Sequence, residues 1–135
     1  MKFNVIIIDD SPLQLSISSH MVNKNENLNL VGSYSNPFLG LDAVNNSDVD
    51  LVLLDVEMPQ IDGFALQKLF TREVTVIINS TKPTYEAKAY SRGAIDFLHK
   101  PLRAEQLKCS INKVIRSKTR RKLFIKKNEI TTIAV

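Results

Sequence analysis

Val5-Ile6-Ile7-Ile8-Asp9-Asp10 is the stretch on which the fold turns: an aliphatic, β-branched run closed by two acids. A run this short is no stable helix and reads as a strand buried on both faces. The pattern returns in Asp50-Leu51-Val52-Leu53-Leu54-Asp55. Carboxylates placed where such strands stop gather at the carboxyl edge of a parallel sheet, where open α/β folds hold their ligands. Three acids there repel one another unless a cation or a shared proton relieves them. The pattern points to a divalent metal held among Asp9, Asp10 and Asp55, and to chemistry on one aspartate.

Outward from these runs, strand-like and helix-like segments alternate. Strand 1 is predicted over Asn4–Ile8, followed by a helix entered through Ser11-Pro12-Leu13-Gln14, a serine cap with proline at the first helical position and Gln three residues after the cap. Its apolar spacing runs Leu13, Ile17, His20, Met21. Strand 2 is predicted over Leu28–Tyr34, helix 2 after Asn36-Pro37 with Phe38, Leu41 and Val44 inward, and strand 3 over Leu51–Leu54. A loop at Met58–Gly63 precedes helix 3, near Phe64–Thr71. Strand 4 (Val74–Ile78), helix 4 (Pro83–Arg92, closed by Gly93), strand 5 (Ile95–Leu98) and helix 5 after Pro101, burying Leu107, Ile111, Val114 and Ile115, complete the set. Five β-α units with short connections imply a doubly wound α/β fold: a five-stranded parallel sheet, order 2-1-3-4-5, covered by five helices. Strands 1 and 3 then lie side by side at the switch point, and Asp9, Asp10 and Asp55 share one crevice.

At 135 residues the chain reads as one domain plus a short appendage. No apolar stretch approaches the roughly 20 residues of a membrane helix. The start, Met1-Lys2-Phe3-Asn4, leaves no room for a signal peptide, and the lone Cys109 makes no internal disulfide, so the cytoplasm is the expected setting and a membrane partner is not expected. Charge is uneven: residues 1–99 carry 7 Lys/Arg against 12 Asp/Glu, residues 100–135 carry 11 against 2. The basic end reads either as a solvated linker helix or as an approach to nucleic acid. Beyond residue 116, Leu123–Lys127 and Ile130–Val135 look like two β-prone pieces around a turn at Asn128-Glu129. The expected division is a domain at 1–117, then at 118–135 a basic linker and the start of a second domain.

A carboxylate at a strand end beside a divalent cation can be a nucleophile as well as a ligand, as in aspartyl phosphates. Attack on phosphorus develops charge on the phosphoryl oxygens, which calls for a hard cation and a lysine. Magnesium suits an open cup of carboxylates. Lys100, at the end of strand 5, supplies the lysine, and Ser80, at the end of strand 4, a hydroxyl. Taken singly, Asp10 would be a helix cap, Lys100 a surface lysine and Ser80 a turn hydroxyl. The specificity lies in their order, each at the carboxyl end of its own strand.

The set Val5–Ser11, Leu51–Pro59, Ile61-Asp62-Gly63 and Gly93–Pro101 resembles the receiver domain of bacterial two-component response regulators, over about residues 3–117. The resemblance implies a flavodoxin-like fold with Asp55 as the phosphoryl acceptor, taking phosphate from a sensor histidine kinase. It implies that Asp10, Asp55 and the backbone carbonyl of Glu57 ligate magnesium directly, with Asp9 acting through water, and that Lys100 pairs with the acceptor or its phosphate. Ser80 fills the family's switch hydroxyl position and Phe97 its switch aromatic. The implied response reshapes the face of helix 4, strand 5 and helix 5, through which a homodimer could form. Two positions depart from the family: Thr81 is larger than the usual alanine or glycine and would restrict access, and Phe97 lacks the tyrosine hydroxyl.

The basic tail with Lys122–Glu129 is similar to the beginning of the LytR/AlgR-type (LytTR) DNA-binding domain, which implies transcription control with DNA bound only through a further C-terminal domain. Two other readings compete. One is a magnesium-dependent phosphatase or phosphotransferase with an Asp nucleophile, in which Glu57 would be the general acid; the other is a receiver that is never phosphorylated and serves only in interactions. The expectation is a phosphoacceptor that catalyses its own phosphorylation and dephosphorylation, not a turnover enzyme.

Overall fold

The alternation of apolar runs and helical periods resolves into a single sheet in the computed structural model, which describes residues 2–134, with side chains through Lys127. The elements are β1 (Phe3–Ile8), α1 (Pro12–Lys24), β2 (Leu28–Tyr34), α2 (Pro37–Asn46), β3 (Leu51–Asp55), α3 (Gly63–Gln67), β4 (Thr75–Ser80), α4 (Glu86–Ser91, entered through a 3-10 turn at Pro83–Tyr85), β5 (Asp96–His99) and α5 (Ala104–Ala134). All pairings are parallel and the order is β2-β1-β3-β4-β5, as the sequence predicts. Ile8 pairs with Leu54, so Asp9 and Asp55 follow at the same level of adjacent strands.

The two-residue period of a strand divides the core. Ile6, Ile8, Val52, Leu54, Val76 and Ile78 face one layer, with Val44 of α2, Phe64 and Leu66 of α3 and Ala89 of α4. Phe3, Val5, Ile7, Leu51, Leu53 and Ile77 face the other, with Val22 of α1 and Leu107, Ile111 and Val114 of α5. Each fully buried aliphatic side chain contributes about 1.5–3 kcal/mol. The sheet is thus a rigid platform for its carboxyl edge.

The helices differ from expectation in their faces and ends. Leu13 of α1 is 68% exposed and Phe38 of α2 is 47% exposed, while Ser18 and Val22, and Pro37, Gly40 and Val44, are the buried positions. Leu13 and Phe38 lie in first turns, past the end of the preceding strand. Helix α3 stops at Gln67, short of the predicted Thr71. Gly93 closes α4 with φ +87°, its amide bonding to the Tyr90 carbonyl and that of Ala94 to the Ala89 carbonyl, the paired bonds of a Schellman cap.

The largest correction concerns the basic end. Where two strand pieces and a turn at Asn128-Glu129 were expected, α5 continues through Ala134; Val135 lies outside the described residues. Residues 116–134 contain neither Gly nor Pro and are rich in Lys and Arg, which favour helix. Two short strands would need a further sheet to satisfy their backbone groups, whereas a helix satisfies its own. Arg121 on this extension forks onto Glu73, and Lys118 lies 3.9 Å from Asp50 and over the Phe3 ring, at the amino edge of the sheet.

Candidate phosphoacceptor site

Asp9 is held from two sides. Its Oδ1 accepts the Ser11 amide at 3.0 Å, and its Oδ2 lies 2.7 Å from Lys100 Nζ. The Ser11 hydroxyl caps α1 by accepting the Gln14 amide at 3.3 Å, but the reciprocal bond from Gln14 to the Ser11 amide is replaced by the Asp9 carboxylate. The capping signal thus served the site as much as the helix. Asp10 follows half-buried. One carboxylate oxygen from each of Asp9, Asp10 and Asp55 lies within 4.8 Å of the others.

Asp55 ends β3 and is 5% exposed, with Oδ1 2.8 Å from Lys100 Nζ. Burial drives its carboxyl up to about 7; the Lys100 hydrogen bond pulls down and the Asp9 charge pushes up again. For Lys100, burial disfavours the charge, but Asp55 and Asp9 outweigh it and hold the ammonium above its ordinary value. The site gathers three carboxyl groups around a single lysine ammonium. Its donors are hard carboxylate oxygens, half-buried or deeper, a set that fits a small divalent cation such as magnesium.

The loop after β3 is shaped by Gly63. A Cβ there would stand 2.1 Å from the Asp55 carbonyl oxygen, and the Gly63 amide bonds to the Val56 carbonyl at 2.8 Å. Only glycine permits that approach. Asp62 caps α3 by accepting the Ala65 amide at 2.9 Å. The Asp62-Gly63 pair, read from sequence as a loop, thus sets the backbone on which Asp55 rests.

Lys100 follows β5, its amide bonded to the Ser80 carbonyl at 3.0 Å and its peptide to Pro101 cis. Ser80 ends β4, 2% exposed, and its hydroxyl accepts the Lys82 amide at 3.1 Å. Thr81 is exposed beside it. Phe97 is 5% exposed, packed in the layer of α2, α3 and α4, with its ring edge-on to His99 at 5.2 Å. The structure brings Asp9, Asp10, Asp55 and Lys100 into direct company, puts Ser80 at the end of β4, and places Phe97 second in β5, in register with Ile78. Glu57 turns its side chain to Lys82 at 2.7 Å and to the Tyr85 hydroxyl at 2.8 Å, and both partners hold its carboxyl below the ordinary value.

Three features had no weight in the sequence reading. Lys82 and Tyr85 join Glu57 in a bridge between the β3–α3 and β4–α4 loops; nothing in their spacing announces it. Asn79 lies buried beside Asp55 on β4. Asp96, a charge opening the apolar strand β5, is buried and accepts from the Tyr90 hydroxyl, the Phe97 amide, Ser110 and Lys113. Burial opposes its ionisation, yet Ser110, Lys113 and Tyr90 together hold its carboxyl below the ordinary value. The three-residue spacing of Ser110 and Lys113 on one helix face was the available signal.

Known proteins share this architecture. A sequence profile described as the response regulator receiver domain matches residues 5–112. A protein-glutamate methylesterase/protein-glutamine glutaminase from Shewanella sp. is 32% identical over 107 residues, 75% of this chain and 30% of that protein. One of the same name from Pseudomonas aeruginosa is 31% identical over 137 residues, 90% of this chain and 39% of that protein. The chain thus spans well under half the length of these relatives. Among solved structures, a CheX–CheY–BeF3–Mg2+ complex from Borrelia burgdorferi aligns with TM-score 0.73 at 25% identity, covering 84% of this chain and 89% of that one. The response regulator domain of Thermotoga maritima CheB aligns with TM-score 0.71 at 22% identity, covering 87% and 96%. By its profile match over most of its length, the chain belongs to the response regulator receiver domain family.

Proposed function

We propose that Asp55 accepts a phosphoryl group from a phosphohistidine of a sensor kinase and that the domain relays this state to an output. The observation that supports it most is Lys100, whose ammonium is shared between Asp9 and Asp55 at the carboxyl edge of the sheet. An ionised Asp55 oxygen forms the new P–O bond as the P–N bond to imidazole breaks and the imidazole leaves with the electron pair. Lys100 stands where negative charge gathers on the phosphoryl oxygens. Asp9, Asp10, Asp55 and the Glu57 carbonyl are the proposed magnesium ligands, Asp9 through water, and the cation would neutralise the acids and the transferring group. Ser80 would then exchange the Lys82 amide for the phosphoryl group, and Phe97 packing would carry the change to α4, β5 and α5. That face is also the proposed homodimer surface.

Glu57 argues against the phosphatase reading. An exposed carboxyl held below its ordinary value by Lys82 and Tyr85 stays ionised at neutral pH and has no proton to give. For the output, the basic charge of α5 supports control of transcription through a DNA-binding domain, while the methylesterase names of the relatives support an enzymatic partner domain. The segment Lys122–Glu129 that carried the LytR/AlgR resemblance lies in α5, so the enzymatic output is the better supported of the two. Intact mass after acetyl phosphate and magnesium tests the central assignment. One phosphoryl increment is expected, absent in Asp55→Asn; label on that variant at the wild-type level would sink the proposal, and catalytic turnover of p-nitrophenyl phosphate would restore the phosphatase.

A further inference from the structure

Helix α5 carries two stripes of cations. Leu107, Ile111 and Val114 are buried against the sheet, and Lys118 and Arg121 continue that face at spacings of four and three, where they pair with Asp50 and Glu73. Lys113, Arg116 and Arg120 form a second stripe on the flank of the helix, at i, i+3 and i+7. With Ile95 and Ser117 they line a hollow of about 410 Å3 beside the start of β5. Lys113 reaches Asp96 at 3.1 Å, but Arg116 and Arg120 are exposed and have no acid partner among the described residues. Residues 106–128 hold nine Lys/Arg and no Asp or Glu. The acids of the phosphoacceptor site lie at the carboxyl edge, the opposite end of the sheet.

We propose that this flank of α5 docks on the phosphodiester backbone of duplex nucleic acid, without regard to sequence. The surface is independent of the proposed role of Asp55. Arg116 and Arg120 stand one turn apart, about 6 Å along the axis, and a guanidinium forks onto phosphate oxygens through two N–H groups. Ser117 adds a hydroxyl donor between them. A hollow of about 410 Å3 exceeds the roughly 30 Å3 of one water many times over, leaving room for a phosphate with its bridging waters. It has no aromatic lining on which a base could stack, which favours a duplex over a single strand. A membrane surface fits less well. Leu123, Phe124 and Ile125 are exposed but consecutive, about 100° apart around the helix, and make no single apolar face. A second α5 also fits less well, because Lys118 and Arg121 interrupt the apolar seam of Leu107, Ile111 and Val114.

The test is fluorescence anisotropy of the full chain with two labelled duplexes of unrelated sequence, titrated between about 50 and 200 mM salt. Both duplexes should bind equally, with a dissociation constant of about 10−4 to 10−6 M near physiological salt. Arg116→Gln/Arg120→Gln should weaken binding about tenfold or more at low salt and reduce the salt slope by about 2. Arg116→Lys/Arg120→Lys keeps the charges and should keep the slope. Lys24→Gln/Lys68→Gln removes the same charge from exposed positions at the ends of α1 and α3, and should bind as the wild type does. All four residues are exposed, so thermal melts of the variants should match the parent. No binding at about 50 mM salt, or a preference of about tenfold for one duplex, overturns the proposal. Wild-type affinity in Arg116→Gln/Arg120→Gln, or an equal loss in Lys24→Gln/Lys68→Gln, does the same. So does tighter binding to vesicles of phosphatidylserine and phosphatidylcholine than to either duplex, which makes α5 a membrane-surface helix instead.

Discussion

At Asp55 the decisive quantity is the proton. Its ordinary value of 3.8 is raised to about 7 in the folded chain, chiefly by burial. The native state thus keeps a proton that the unfolded chain has already released, so stability falls as pH rises from about 4 to 7 and is level above that. Thermal melts from pH 5 to 8 should record this decline, magnesium at pH 8 should reverse it, and Asp55→Asn should flatten it. A carboxylate must be ionised to attack phosphorus. Labelling by acetyl phosphate at low magnesium should therefore rise through a midpoint near pH 7, and that midpoint should move to lower pH as magnesium is added. A midpoint near 4 at every magnesium concentration would contradict the buried, crowded carboxyl described here.

Two elements transmit constraints that their own residues do not advertise. The β3–α3 loop depends on Gly63, whose Cβ position is occupied by the Asp55 carbonyl. Gly63→Ala must displace the backbone of Asp55, and urea unfolding should show a loss on the order of 3 kcal/mol together with slower labelling. The junction of α4, β5 and α5 depends on Asp96, which gathers Tyr90, Ser110 and Lys113 beside Phe97. Asp96→Ala leaves those donors facing a buried gap, and a loss of about 2–4 kcal/mol is expected from denaturant titration. Because its folded value is lowered, Asp96 stabilises above its ordinary value of 3.8, and that share disappears as pH falls through the folded value. Melts below pH 4 of the wild type and Asp96→Asn should converge.

For the whole molecule, the helix beyond residue 117 is joined to the sheet by ion pairs at its surface, Arg121 with Glu73 and Lys118 with Asp50. Exposed pairs of this kind contribute little, so a chain ending at residue 117 should melt cooperatively, within about 5 °C of the parent. A larger loss would mean that the extension is part of the domain core. The apolar runs, the acids that close them, the Ser11 and Asn36 caps and Gly93 were enough to read the strand order and the meeting of Asp9, Asp55 and Lys100, because period and capping are local properties written in neighbouring residues. The buried Asn79 beside Asp55, the Glu57–Lys82–Tyr85 bridge, the Asp96 junction and the helical course of residues 118–134 were decided only by tertiary structure. Each depends on which side chains from distant segments share a face, or on whether a partner sheet exists, and no local pattern encodes that.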